Sequence, residues 1–323
     1  MKVQKTTSLL LFIVVLAILE LVTVWAIKNN YLGRPNRYVP FQQNEFCSRK
    51  SKTFYDYGAF YGSQFFLEAK GIVSVPIEEF TIEKAIAIRE ALLNISSVKN
   101  EGIEGAPIEL LKGLKAGKTL TCRDLSLLYG FMLNSVGYNV RHIVVSRSLF
   151  DIWDSHSIVE VWDERRGKWI LSDPTFNISL KNNGEYLSSD EVYDLIHSGN
   201  YDSIKVLHGH PTKYEYSLEK YYISYFSLFN NLFYVSHINP KPAVLKYSPW
   251  RWFDDRFAIK MLMTDKHPVR GNEIHIQNAL MFLMLFLIPL AIVISLLMYC
   301  LNKVNSNDIF KKLFNKITVC QKK

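Results

Sequence analysis

The sequence predicts an α+β domain held between two transmembrane helices. Three observations predict it. Two long apolar runs, residues 8–27 and 279–301, lie near the two ends of the 323-residue chain. Between them a well-capped helical segment precedes three short runs of strand character, an order typical of α+β domains. The positive charge is concentrated in the tails outside the apolar runs.

Residues 8–27 read SLLLFIVVLAILELVTVWAI, with Glu20 as the one charge, and residues 279–301 carry none. A bilayer core of about 30 Å needs about 20 apolar helical residues, and both runs meet that length. A cleaved signal peptide would have a shorter apolar stretch followed by small residues, so the first run reads as a retained anchor. The second is apolar on every face, unlike a soluble helix, and Pro289 within it is tolerated in a membrane helix. Glu20 reads as snorkelling or as facing the second helix.

The net charge is +8 and the pI about 9.1. Lys2 and Lys5 give the N-terminal tail +2, Glu20 contributes −1, and the tail after Leu301 carries +5, which leaves +2 for residues 28–278. A basic pI that resides in the tails argues against a nucleic-acid surface. By the positive-inside rule both lysine-bearing tails are cytoplasmic. The expected organisation is a cytoplasmic tail (1–7), a first span (8–27), an extracytoplasmic domain (28–278), a second span (279–301) and a basic cytoplasmic tail (302–323). The protein is expected in the cell or inner membrane.

Within the outer domain, residues 34–43 read as a linker. Residues 77–93 place Phe80, Ala85, Ile88 and Leu92 near helical spacing. Residues 102–117 are turn-rich. Thr121 is an N-cap with Asp124 three residues on, Leu125, Leu128, Met132 and Val136 make an apolar face, and Gly137 is a C-cap. Residues 140–146, 157–162 and 168–172 read as strands. In the aromatic-rich region 185–270, residues 190–197 look helical. Residues 221–235 either pack on the core or lie at the membrane surface, and core packing is the commoner fate of such stripes. The sequence shows no internal repeat and no low-complexity tract.

Cys122 falls in the first turn of the capped helix, where free amides and the helix dipole favour a thiolate. A thiolate nucleophile needs a base and a group to orient that base. Residues 163–167, DERRG, have turn composition. A hairpin centred between Glu164 and Arg165 places His156 opposite Asp173, with Cβ atoms about 5 Å apart on one face. The carboxylate then holds the imidazole with its other nitrogen free for the thiol.

The run Thr121-Cys122-Arg123-Asp124, the helix to Gly137 and Val140-Arg141 resemble the transglutaminase-like superfamily core. So do His156 leading a strand with Glu160 and Trp162, and Trp169 followed by Ser172-Asp173-Pro174-Thr175. The resemblance covers about residues 80–180. It implies a transglutaminase-like, papain-like core, a helix packed on a small antiparallel sheet, in which Cys122 at the head of the helix is the nucleophile, His156 the base and acid, and Asp173 the orienting group. The Cys122 backbone amide can serve as one oxyanion donor. A second is unassigned.

Cys47 is expected to be a buried, unpaired thiol, and Cys300 and Cys320 to pack or stay reduced. His197, His208, His210 and His237 lack acidic residues at ligand spacing, so no metal and no cofactor is expected. Asn94-Ile95-Ser96 and Asn177-Ile178-Ser179 match the glycosylation sequon. No Walker, Rossmann or hydrolase-elbow motif offers a rival site. The expected activity is that of a thiol peptidase or amidase acting through an acyl-enzyme on a peptide, protein or glycoconjugate of the envelope. Transfer to an amine and a non-catalytic binding module are the alternatives. The lipid bilayer is the expected partner, nucleic acid is not, and the oligomeric state is left open.

Overall fold

Alternating apolar positions in the central strands bury both faces of one sheet, and two layers of helices cover them. The computed structural model describes residues 14–18, 21, 38–41, 47–49, 72, 79–95, 99–102, 107–147, 155–210, 218–229, 231–235, 259–262, 275–276, 278–279 and 281–306. The chain divides into two compact units, Pro35–Gln277 and the pair of terminal segments Met1–Arg34 and Asn278–Lys323.

In the central unit the described strands are β1 (Tyr38–Phe41), β2 (Lys99–Gly102), β3 (Lys118–Thr119), β4 (Val140–Ser146), β5 (Ser155–Asp163), β6 (Lys168–Asp173), β7 (Ile178–Asn182), β8 (Glu185–Tyr186), β9 (Ile204–His208), β10 (Asn231–Val235) and β11 (Ile259–Leu262). The helices are α1 (Ile82–Asn94), α2 (Pro107–Lys115), α3 (Cys122–Ser135), α4 (Ser189–His197) and α5 (Leu218–Ser227). The main sheet runs β1-β11-β10-β4-β5-β6-β7-β8, with β9 also on β7. Every described pairing in it is antiparallel except β1 with β11.

The period of two sorts side chains between the layers. Val159, Val161 and Ile170 face Leu92, Leu128, Tyr129 and Met132 of α1 and α3. Ile143, Val145, Ile158 and Leu171 face Val192, Tyr193, Tyr222 and Phe226 of α4 and α5. Tyr222, Phe226, Phe229 and Leu232 are fully buried, so the aromatic stretch 221–235 packs on the core as a helix and a strand. The predicted helix at 190–197 is α4, opened by a Ser188–Glu191 capping box.

Helix α3 ends where the sequence predicts, and the closing hydrogen bonds explain it. The Tyr138 amide donates to Leu133 O at 3.0 Å and the Gly137 amide to Asn134 O at 3.1 Å, a Schellman pair. Gly137 has φ +105°, and a Cβ there would sit 2.9 Å from the Phe80 ring. Helix α1 starts at Ile82, five residues later than predicted, because Asp163 from the end of β5 accepts the Ile82 amide at 2.9 Å while Thr81 makes no side-chain cap. The turn-rich reading of 102–117 is corrected by α2, whose Leu110, Leu111 and Leu114 are buried against the α1–α3 layer. Glycines at both ends of that stretch masked a nine-residue amphipathic helix.

The β5–β6 register is also corrected. Trp162 pairs with Trp169 and Asp163 with Lys168, so His156 is not directly opposite Asp173 and the strands slide by two residues from the predicted pairing. The loop is the four residues 164–167, closed by the Gly167 amide on Asp163 O at 2.8 Å and the Arg166 amide on Asp163 Oδ1 at 2.8 Å, with Gly167 at φ +63°. A shift of two keeps every side chain on its face, whereas a shift of one would have separated His156 from Asp173.

In the terminal unit a π-helical turn, Leu283–Leu287, runs directly into α6 (Ile288–Ser306). Leu290, Val293, Ile294, Leu296, Leu297 and Met298 are exposed. Among the described residues no helix is long and apolar enough to cross a membrane. The predicted first span, 8–27, lies mostly outside the described residues.

Candidate active site

Thr121 sets the site by fixing the start of α3. Its hydroxyl oxygen accepts the Asp124 amide at 3.2 Å and its hydroxyl donates to Asp124 Oδ2 at 2.7 Å. Such a cap is worth about 1 kcal/mol. Cys122 is therefore the first helical residue, half-buried, free of any disulfide, and close to the unpaired amides of the helix end. Ser126, one turn on, donates to Ser157 O at 2.8 Å and ties α3 to the beginning of β5.

His156 stands on the face of β5 that also carries Ile158, and is 2 % exposed. Its Nε2 lies 2.6 Å from Asp173 Oδ2. The imidazole and the Ser157 amide lie close enough to the Cys122 thiol to draw it below its ordinary value. With Nε2 engaged by the carboxylate, Nδ1 is the nitrogen left for sulfur. Phe176 and Tyr225 approach the imidazole edge-on, at 5.4 and 5.5 Å between centroids. The three residues singled out in the sequence thus converge.

Asp173 is fully buried and accepts four hydrogen bonds from the described residues. Its Oδ1 takes the amides of Thr175 at 2.8 Å and Phe176 at 3.2 Å. Its Oδ2 takes His156 and the Tyr222 hydroxyl, the latter at 3.1 Å. Burial raises its pKa, but the His156 charge and these donors prevail and hold it below the usual carboxylate value.

The electrostatics favour an ion pair. Burial opposes the Cys122 thiolate, yet the His156 hydrogen bond and charge, aided by the Ser157 amide, bring the thiol below its ordinary value. Burial opposes the imidazolium as well, yet Asp173 by charge and hydrogen bond, with help from Cys122, pushes His156 up to about 9. The two titrate as a coupled pair. Cys47 behaves oppositely. Partial burial of its sulfur and the Asp190 carboxylate, 3.6 Å away, push it up to about 12. Cys47 is free as expected but exposed, which corrects its predicted burial. It sits on a surface segment anchored by the Trp169 indole, which donates to Ser48 O at 3.0 Å.

Two contributors escaped the sequence reading. Arg89 of α1 is fully buried. It donates to Asn177 Oδ1 at 2.9 Å, Ser172 Oγ at 2.7 Å, Ile178 O at 2.6 Å and Ser179 Oγ at 3.1 Å, bracketing the turn that carries Asp173. Its signal was a charge in the stripe Ile82-Ala85-Arg89-Leu92, where only apolar residues were expected. Tyr222 is the other, and nothing local marked it. The Asn177 sequon is 1 % exposed and its side chain is taken by Arg89, so the burial that orders the turn closes that position to a glycan.

A thiol at a helix N-terminus, an imidazole on the adjoining strand and a carboxylate behind it define the papain-like thiol-enzyme class. Residues 72–174 match the transglutaminase-like superfamily, and this stretch of the chain is a transglutaminase-like domain. It contains Cys122, His156 and Asp173, while Tyr222 lies beyond it. No curated protein matches the chain.

Proposed function

We propose that the protein is a membrane-anchored thiol hydrolase, a peptidase or amidase acting on an envelope or cell-surface peptide, protein or glycoconjugate. The observation that carries this reading is the His156 imidazole bonded to the Asp173 carboxylate and close enough to Cys122 to draw its thiol below the ordinary value. The Cys122 thiolate attacks the carbonyl carbon, and the oxygen, as its π bond opens, accepts the Cys122 amide. The imidazolium gives its proton to the leaving amine as the C–N bond breaks. His156 then takes a proton from water, whose oxygen attacks the thioester, and the thiolate leaves. Cys122 is partly exposed, so water reaches the thioester, which favours hydrolysis over transfer to an amine.

The test needs no substrate. Alkylation of Cys122 in the full chain by a neutral haloacetamide, read by peptide mass, should rise in two steps with pH. The first, below the ordinary thiol value, marks formation of the ion pair. The second, at about 9, marks loss of the His156 proton, which leaves a more nucleophilic thiolate. Turnover should fall through that second step, because the leaving group loses its proton donor. At neutral pH Cys122 should label far faster than Cys47, whose thiol is pushed up to about 12. A single step for Cys122 at the ordinary thiol pH would refute the reading.

The membrane part rests on the two apolar runs and on the exposed apolar side chains along α6, a surface that soluble helices rarely present. The positive tails orient the spans with both termini inside. A protease site placed at Gly184, an exposed hairpin turn with φ +88° and no atom near its side-chain position, should be cut from outside intact cells. A tag after Lys323 should be spared. Protection at Gly184 would reverse the topology.

A further inference from the structure

We propose that Tyr222 is a positioning residue of the thiol site, its hydroxyl fixing the Asp173 carboxylate behind the His156 imidazole, and that α5 thereby belongs to the catalytic unit. The proposal rests on the thiol-enzyme reading and extends it beyond the transglutaminase-like segment, which ends at residue 174.

Tyr222 is fully buried. Its ring is held between Phe176 and Phe226, at 5.3 and 5.9 Å between centroids. Its hydroxyl donates to Asp173 Oδ2, the same oxygen that holds His156. Backbone amides pin only the other oxygen, Oδ1. Tyr222 therefore supplies the one hydrogen bond, apart from that of His156 itself, that fixes Oδ2 in place among the described residues. Burial first, then the neighbouring carboxylate, raises the phenol well above its ordinary value, so it stays a donor over the working pH range. The groups facing the His156–Asp173 pair are Cys122 from α3, Tyr222 and Tyr225 from α5, and Arg89 from α1. Tyr225 of the same helix lies edge-on to the imidazole, so α5 touches both partners of the pair.

The chemical consequence has a sign. A hydroxyl bonded to Oδ2 withdraws part of the charge that would otherwise stabilise the imidazolium. Tyr222→Phe leaves Oδ2 to His156 alone, and the imidazole becomes more basic. In the alkylation profile of Cys122, measured on the full chain with iodoacetamide, the second step should move up by roughly half a unit to one unit while the first stays in place. The phenyl ring remains, so the thermal unfolding midpoint should stay within a few degrees of wild type. Tyr222 replaced by 3-fluorotyrosine, a stronger donor of nearly the same shape, should move the step down. That arm decides the matter even where Tyr222→Phe fails to fold.

In an Asp173→Asn background the Tyr222→Phe shift should vanish, because the carboxylate it acts through is gone. Superimposed profiles for wild type and Tyr222→Phe, or a shift that persists without Asp173, would overturn the proposal and leave the thiol-enzyme reading standing. A wild-type Cys122 with one ordinary thiol step would overturn both.

Discussion

Cys122→Ser is expected to lower turnover at least about a hundredfold while leaving the fold intact. The exchange is nearly isosteric, and Cys122 is half-buried at a helix start rather than in the core, so packing changes little. What is lost is the thiolate. His156 and the Ser157 amide bring the thiol below its ordinary value, but a hydroxyl begins several units higher and stays protonated beside the same imidazole. His156→Ala should be comparably damaging. The double variant should be no worse than either single one, because the two act as a unit. Asp173→Asn should be milder, since the Thr175 and Phe176 amides still hold the side-chain oxygen, while the charge and the acceptor beneath the imidazole disappear. These outcomes are read as kcat/KM once a substrate is in hand. A Cys122→Ser protein that retains full activity in cells would end the thiol mechanism and bring the binding-module alternative forward.

Arg89→Met is expected to produce the largest loss of stability, about 3–5 kcal/mol, as a fall in the urea midpoint of the full chain in detergent. Methionine fills much of the volume but leaves Asn177 Oδ1, Ser172 Oγ, Ile178 O and Ser179 Oγ without the donor they share. Each of these atoms belongs to β6, β7 or the turn between them, so the damage falls where Asp173 is held. Arg89→Lys should fall between wild type and Met, because a single ammonium keeps the charge but cannot reproduce the guanidinium fork. A midpoint for Arg89→Met within error of wild type would mean that the turn is held by its own hydrogen bonds.

The helix that carries Cys122 was legible because its signals are local. Thr121, Asp124 and Gly137 act through hydrogen bonds within a turn of their own positions, and the structure realises each of them. The strands β4 to β6 were legible for the same reason, since short strand-like runs bounded by turn residues are a property of consecutive residues. That His156 and Asp173 share a face also followed from the sequence. Parity survives any even slip, and the observed slip is two.

What the sequence by itself determined is therefore the transglutaminase-like core, its order of Cys122, His156 and Asp173, and the face on which the last two meet. The tertiary structure alone decided the rest. The hairpin register depends on Asp163, which closes its own loop while capping α1 from 81 residues away. Arg89 reads as a misplaced charge until β6 and β7 bring four acceptors to it. Tyr222 reads as one aromatic among many until α5 sets its hydroxyl 3.1 Å from Asp173, 49 residues earlier in the chain. Caps and periodicity act between neighbours in the chain, whereas the partner of a buried charge is whichever group the completed fold brings within about 3 Å.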